Sequence, residues 1–170
     1  MLARPAANEY HEYYGLYTKR VPDGDIMDIF ERQKRETLEL LSGVDEERGG
    51  FRYAEGKWSL REVVGHLNDI ERVFCYRALI IARGDQTPQA GVEQDDFITA
   101  SNYDQQSLSS VTEQFRVTRE ATISLFHTFD EEIGMRTGTA SDRPFTVRSI
   151  AYIIAGHEIH HVGVLKERYL

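Results

Sequence analysis

Two histidines near the end of the sequence are spaced to share one ligand. His157 and His161 are four residues apart in a segment whose apolar residues recur at helical spacing. Side chains at positions i and i+4 of a helix lie about 5–6 Å apart at Cβ and aim the same way. Two neutral imidazoles placed like this can bind one Zn²⁺ or Ni²⁺ at about 2.0–2.1 Å. The pair therefore indicates a divalent metal.

A third histidine, His66, lies on the apolar side of an earlier predicted helix. A buried polar group without a partner costs about 1–3 kcal/mol, and adjacent imidazoles suppress each other's protonation. Three inward-facing histidines in one small domain therefore favour a shared metal over three separately satisfied side chains. The alternative is a metal-free core of hydrogen-bonded histidines, which is the commoner fate of a lone histidine such as His66.

The remaining histidines and the single cysteine are not predicted to be ligands. His160 points about 60° away from His157 around the helix, so we expect it to orient a ligand, to lie at an interface, or to be exposed. Cys75 follows His66 by nine residues and lies on the opposite face of the same predicted helix. It cannot share a metal with His66 and is expected to be a packed thiol. His11 and His127 are isolated and expected to be structural.

Residues 157–161 also match the H-E-x-x-H pattern of zinc proteases, with Glu158 as the general base. Those enzymes take a third ligand from further along the chain, yet only nine residues follow His161. A third ligand on an earlier helix requires a bundle of helices instead. The pattern therefore favours a bundle over a peptidase, and Glu158 stays a candidate base.

Other acidic residues near the histidines are candidates for supporting roles. Metal-bound imidazoles usually donate their second N–H to a carboxylate or a carbonyl. Asp69, one turn after His66, and Glu62, one turn before it, could orient that ring or act as a base, with surface charge as the alternative. Asp95 and Asp96 lie in a long predicted loop, where ligand-binding residues are common.

Four helical segments are predicted to position these side chains. Apolar residues recur at spacings of three and four over residues 25–41, 59–83, 104–129 and about 146–170. The connections at residues 45–56, 84–102 and 131–144 are polar and predicted to be loops, of which the second is long enough to cross over the molecule. Four long helices with polar connections predict an all-α four-helix bundle.

The second helix has the best-marked start in the sequence. Ser59 and Glu62 have the spacing of a capping box, in which each side chain accepts a hydrogen bond from a free backbone N–H. Trp58 and Val63 stand where a hydrophobic staple would form. From this start, the helical period places His66 on the inner face.

Length and composition suggest one globular domain. The chain has 170 residues, 41% of them hydrophobic and 28% charged, which fits a single domain over residues 1–170 with a tyrosine-rich extension at about 1–22. The net charge of −8 would repel nucleic acid. No apolar run is long enough to cross a membrane.

The compartment is predicted from the cysteine count and the N-terminus. One cysteine excludes an internal disulfide framework and indicates a reducing compartment. Residues 1–17 carry four tyrosines and several charges, with no apolar stretch that could serve as a secretory signal. The expected location is cytoplasmic.

Several sequence segments together resemble the DinB/YfiT-like family, namely residues 56–59 leading to His66, residues 77–85, 155–161 and 167–170. The likeness runs from about residue 21 to the end. It implies a four-helix bundle of the DinB/YfiT-like type and a zinc or nickel site with open positions, held by His66, His157 and His161. It also implies frequent homodimers and an activity as a hydrolase or as a transferase that uses a low-molecular-weight thiol.

The residues and the resemblance together predict a metal-dependent enzyme with one divalent metal per chain and a small-molecule substrate. Three neutral imidazoles leave the ion its full charge and an open position, which lowers the pKa of bound water to about 7 and favours a thiolate. Two alternatives stay open, a non-catalytic metal-binding or stress-related bundle and a metal-free dimerisation module. Zinc and nickel are both possible, since imidazole suits both.

Overall fold

Four long helices dominate the computed structural model, which describes residues 2–170, so that Met1 of the expected extension lies outside the described residues. The helices are α1 (Ile26–Ser42), α2 (Leu60–Ala82), α3 (Leu108–Phe126) and α4 (Val147–Val164). Helices α1 and α2 each pack against both α3 and α4. The predicted four-helix bundle is confirmed. Among the described residues, no helix has the length and apolar character needed to span a bilayer.

The capping box predicted at the start of α2 is confirmed. The Ser59 hydroxyl accepts a hydrogen bond from the Glu62 backbone N–H, and the Glu62 carboxylate accepts one from the Ser59 backbone N–H. Helix α4 begins with the same reciprocal arrangement between Thr146 and Ser149. These caps satisfy backbone donors that a helix N-terminus leaves free, so they fix where each histidine-bearing helix starts.

The segments predicted to be plain loops contain short elements, so that part of the prediction was wrong. Residues 45–56 include the helical turn Glu46–Gly49, and residues 84–102 include the helix Gln94–Ala100. Residues 131–144 include the turn Glu131–Gly134, the whole of strand β1 (Thr137–Ala140) and the start of strand β2 (Arg143–Thr146). Elements of four to seven residues are too short to show a reliable periodicity.

The two strands form an antiparallel hairpin that borders the site described below. Ala140 pairs with Arg143, and the two residues between them, Ser141 and Asp142, have φ of 50° and 57°. Positive φ at both central residues is typical of a type I′ turn, which usually carries Asn-Gly or Asp-Gly. The Ser-Asp pair lacks that signal, which explains why the sequence did not reveal the hairpin.

The third and fourth helices also differ from their predicted ends. Helix α3 begins at Leu108 because Tyr103–Gln105 forms a separate 3-10 turn and the Ser107 side chain caps the helix. Helix α4 is α-helical only to Val164, after which Leu165–Tyr169 is a π-helical turn.

The tyrosine-rich N-terminal segment packs against α4. It forms the helical turns Glu12–Tyr14 and Gly15–Thr18, and the second of these lies across α4. The approach requires a glycine, because a Cβ added at Gly156 would lie 2.1 Å from the Tyr17 carbonyl oxygen. The segment therefore forms one wall of the region around His157.

A buried polar layer separates two apolar clusters. One cluster holds Ile150, Ile153 and Phe126, and the other holds Leu60 and Val111. Between them each bundle helix buries polar side chains. They are Gln33 and Thr37 on α1, His66, Asn68 and Glu71 on α2, Thr118, Arg119 and Thr122 on α3, and His157 and Glu158 on α4. The candidate site lies in this layer.

Candidate metal centre

The structure brings the three predicted ligands together. One ring nitrogen from each of His66, His157 and His161 lies within 4.8 Å of the others, and the Nε2 atoms of His66 and His157 are 3.1 Å apart. His66 and His157 are buried and His161 is half-buried. Helix α2 supplies one histidine from its second turn, and α4 supplies the other two from one face.

The donor set fits a divalent metal in both spacing and charge. Ligand nitrogens about 2.0–2.1 Å from one tetrahedral ion lie about 3–3.5 Å apart, which the His66–His157 pair already matches. Burial, with neighbouring imidazoles adding to it, lowers the pKa of His66 to about 4 and that of His161 to about 3. The same causes hold the pKa of His157 well below its usual value. All three rings are therefore neutral at pH 7, as metal ligands must be.

Aromatic neighbours hold the histidine rings in place. The Trp58 ring lies 4.8 Å from the His66 ring, and the Tyr17 ring meets the His157 ring edge-on at 5.2 Å between centroids. His160 lies beside the group, with its ring 4.9 Å from that of His161, and is half-buried. Its nitrogens are outside the three-nitrogen cluster.

Cys75 lies apart from the cluster. Its sulfur is 3.1 Å from the Thr122 hydroxyl, and burial raises the pKa of the thiol to about 12. A protonated thiol in this position matches the expected packed residue.

The structure gives the carboxylates of Glu62 and Asp69 other partners. Glu62 belongs to the capping box and also accepts a hydrogen bond from Arg52. Asp69 accepts a 2.7 Å hydrogen bond from the Tyr103 hydroxyl and a longer one from Arg72. Within residues 2–170, neither is hydrogen-bonded to an imidazole, so their contacts give no support to an orienting role.

Glu158 belongs to a buried ion network that the sequence did not reveal. Arg119, fully buried on α3, donates two hydrogen bonds to Glu71 and one of 2.6 Å to Glu158. The Thr37 hydroxyl donates to the other oxygen of Glu158. Both oxygens therefore face the network, which removes the geometric basis for Glu158 as a protease base. The periodicity of a single helix cannot identify such partners, because they come from three other helices.

Asp95 and Asp96 are exposed on the short helix Gln94–Ala100. The neighbouring residues Glu93 and Gln94 border the cavity next to the histidines, whereas the two aspartates do not. The loop therefore contributes to the site through residues that the sequence did not single out.

A cavity of about 320 Å³ opens beside His66 and His157. Its walls come from the N-terminal tyrosines, the apolar face of α2, the segment before Gln94–Ala100 and the tip of the hairpin. Exposed Tyr13 and Glu93 at its rim show that it reaches solvent. The volume lies at the lower end of the range for small-molecule sites.

Comparisons with solved structures show the same architecture. YfiT from Bacillus subtilis, described as a probable metal-dependent hydrolase with an unusual four-helix bundle topology, matches with a TM-score of 0.70 and 14% identity over 98% of this chain and 91% of its own. The DinB-like protein YjoA from Bacillus subtilis matches with a TM-score of 0.60 and 22% identity, over 84% of this chain and 88% of its own.

A larger protein shares the fold as well. A mycothiol-dependent maleylpyruvate isomerase matches with a TM-score of 0.69 and 15% identity over 85% of this chain. The match spans 61% of that isomerase. At these identities the likenesses show the fold.

Sequence comparison identifies the family. No curated protein sequence matches the chain significantly. The sequence model of the DinB superfamily matches residues 29–165, which include all three clustered histidines, the whole of helices α2, α3 and α4, and α1 except its first three residues. The chain therefore belongs to the DinB superfamily.

Proposed function

We propose that the protein is a metal-dependent enzyme, in which His66, His157 and His161 hold one zinc or nickel ion that activates a nucleophile. The nucleophile is water in a hydrolysis or a low-molecular-weight thiol in a transfer reaction. The observation that carries the proposal is the group of three neutral, clustered imidazoles beside a cavity that reaches solvent. A structural neighbour described as a probable metal-dependent hydrolase supports hydrolysis, and one described as a mycothiol-dependent isomerase supports the use of a small thiol.

The protein's own residues prepare this chemistry. A divalent ion with three neutral ligands would lower the pKa of bound water to about 7 and would equally favour a thiolate. The tyrosine wall and the apolar side chains Ile70 and Phe74 line the cavity next to His66 and His157. Apolar walls lower the local dielectric constant, which strengthens the electrostatic interactions of any charged group that enters the cavity.

The clustered histidines favour an enzyme over the two alternatives. A purely structural metal site is closed by four protein ligands, whereas the described residues offer a group of three. In a metal-free dimerisation module, the 3.1 Å contact between His66 and His157 would be a ring-to-ring hydrogen bond. That hydrogen bond joins only His66 and His157, so it would not explain why His161 lies beside them. Homodimer formation and a cytoplasmic location stay predictions from the sequence.

Removing one ligand tests the metal assignment. We expect His157→Ala and His161→Ala each to lose stoichiometric metal, because two remaining ligands are too few for tight binding. Metal content is measured by mass spectrometry after purification and dialysis, and the expected loss is at least about tenfold. His127→Ala, which removes an exposed histidine at the end of α3, is the matched control and should keep its metal. Full occupancy in both ligand variants would overturn the assignment.

The reaction type is tested on the metal-loaded protein. Hydrolysable esters and amides are screened alone, and electrophiles are screened with low-molecular-weight thiols. Turnover that disappears in His157→Ala supports the proposal, and its dependence on added thiol separates transfer from hydrolysis. Turnover that persists in both ligand variants would place the chemistry elsewhere.

A further inference from the structure

A second buried arginine lacks the counter-ions that Arg119 has. Arg119 is neutralised by Glu71 and Glu158 at 2.7 and 2.6 Å. Arg77, on the same helix as His66, is only 4% exposed, and in the described residues its guanidinium forms no ion pair. Its Nη2 donates to the Ala90 carbonyl oxygen at 2.8 Å and to the Ser141 hydroxyl at 3.1 Å.

An unpaired buried cation is costly, and Arg77 cannot escape the cost by losing its proton. Burial lowers the pKa of its guanidinium, yet arginine stays charged at neutral pH. Neutral partners, including the nearby Tyr14 hydroxyl, compensate a desolvated charge only in part. Because natural folds rarely retain such a charge without use, the missing counter-ion is expected to come from a ligand.

Arg77 lines the same cavity as His66 and His157. It lies eleven residues after His66, which places the two Cα atoms about 16 Å apart along the helix. The Arg77 side chain leans back over Phe74, with its guanidinium carbon 5.3 Å from that ring centroid, and thus points toward the His66 end. Ile70 and Phe74 lie between them on the cavity wall.

A second cation borders the cavity from the hairpin. Arg143 at the start of β2 is half-buried, and its guanidinium lies 5.2 Å and 5.8 Å from the ring centroids of Tyr13 and Tyr14. Like Arg77, it forms no ion pair with any residue of the described chain. The carboxylate among the described lining residues belongs to Glu93, which is exposed at the rim. The cavity therefore carries two cations toward one end and the histidines at the other.

We propose that this cavity binds an elongated small molecule through a carboxylate held by Arg77, with Arg143 as the second cation. The reacting group of the molecule then faces His66 and His157, and its apolar middle packs on Ile70 and Phe74. The planar fork of arginine matches a carboxylate in shape, and charge-assisted hydrogen bonds are about twice as strong as neutral ones. The inference names the substrate class for the proposed enzyme and rests on that function.

Binding of two probes of equal shape tests the charge directly. The full-length protein is titrated with 4-phenylbutanoate and with its neutral amide, 4-phenylbutanamide, and binding is followed by calorimetry and by the NMR signals of the arginine side chains. Metal-free protein is used first, so that the carboxylate cannot ligate an ion, and zinc-loaded protein second. We expect the carboxylate to bind at least about tenfold more tightly than the amide, and to shift the Arg77 Nε–H signal.

Variants assign the preference to Arg77. Arg77→Gln should lose at least about tenfold in affinity for 4-phenylbutanoate and keep its affinity for the amide. Arg83→Gln removes the same charge from an exposed position at the end of the same helix and should bind both probes as the wild type does. If Arg77→Gln does not fold, the test uses Arg143→Gln and the wild-type affinities for the two probes. Arg143→Gln should lose less affinity for 4-phenylbutanoate than is expected of Arg77→Gln.

Three outcomes would overturn the inference. They are equal affinities of wild-type protein for carboxylate and amide, an Arg83→Gln loss as large as that of Arg77→Gln, and tighter binding of inorganic phosphate than of 4-phenylbutanoate. The metal assignment is tested separately by the metal content of His157→Ala. The two experiments can therefore refute the metal site and the carboxylate site independently of each other.

Discussion

Burial determines the chemistry of the three clustered histidines. A histidine in water titrates near pH 6.5. Desolvation lowers the pKa of His66 to about 4 and that of His161 to about 3. It also holds the pKa of His157 well below its usual value. At neutral pH the three clustered histidines therefore present lone pairs and carry no positive charge. The same burial makes the fold sensitive to acid.

We expect the metal-free protein to lose stability as the pH falls from about 6.5 to about 4. In this window the unfolded chain binds protons on these histidines and the folded chain does not, so the free energy of unfolding rises with pH. Thermal melting of chelated protein at several pH values measures the effect. His66→Gln removes one of the groups and should show a shallower dependence than wild type, whereas an unchanged slope would contradict the account.

The three clustered histidines could be predicted from the sequence because each falls on the apolar stripe of a helix. Arg77 also falls on that stripe, but periodicity alone does not show that its charge lacks a partner. The ion network of Arg119 was missed because its partners lie on other helices. Helical spacing thus identifies which residues face inward, and only the packed bundle shows which of them meet.

Helix caps fix where the two helices that carry the histidines begin. The capping box of Ser59 and Glu62 sets the start of α2 and thereby places His66 in the second turn of that helix. The hairpin and the short helices could not be predicted, because four to seven residues hold too little periodicity. The turn of the hairpin also has Ser141 and Asp142 at positive φ, where Asn-Gly or Asp-Gly would usually mark such a turn in a sequence.

Ser59→Ala is expected to destabilise the protein by about 1–2 kcal/mol, because it removes an N-cap acceptor. The Ser59 hydroxyl also donates to the Asp104 carboxylate, which places the effect toward the upper end. Urea unfolding measures the change, and metal stoichiometry should stay the same. Ser124→Ala, an exposed position inside α3, is the control and should not lower the unfolding midpoint, since Ala favours helix more than Ser does. Equal midpoints for both variants would refute the role of the cap.

At the scale of the whole molecule, the bundle is a polar layer held between two apolar clusters. All four helices contribute buried polar side chains to this layer, and the histidines and the Arg119 network share it. Such a layer is stable only when its charges are paired. The apolar clusters on both sides thus position the site. The ion pairs of Arg119 compensate the cost of burying the charged groups of the layer.

Arg119→Met is expected to destabilise the fold by about 3–5 kcal/mol, because it leaves Glu71 and Glu158 buried without their cation. Arg116→Met serves as the control on the same helix. That arginine pairs with exposed Glu113 and should contribute little, since solvent screens exposed pairs. Denaturant unfolding compares the two variants, and similar midpoints would argue against a structural role for the network.

A crystal structure of the protein with bound zinc or nickel tests the metal centre itself. We expect an ion held by nitrogens of His66, His157 and His161, with its remaining position taken by water, a buffer anion or a thiol that faces the cavity. A fourth protein side chain on the ion, such as His160 or Asp69, would make the site a closed structural one. That result would contradict the proposed activation of a nucleophile.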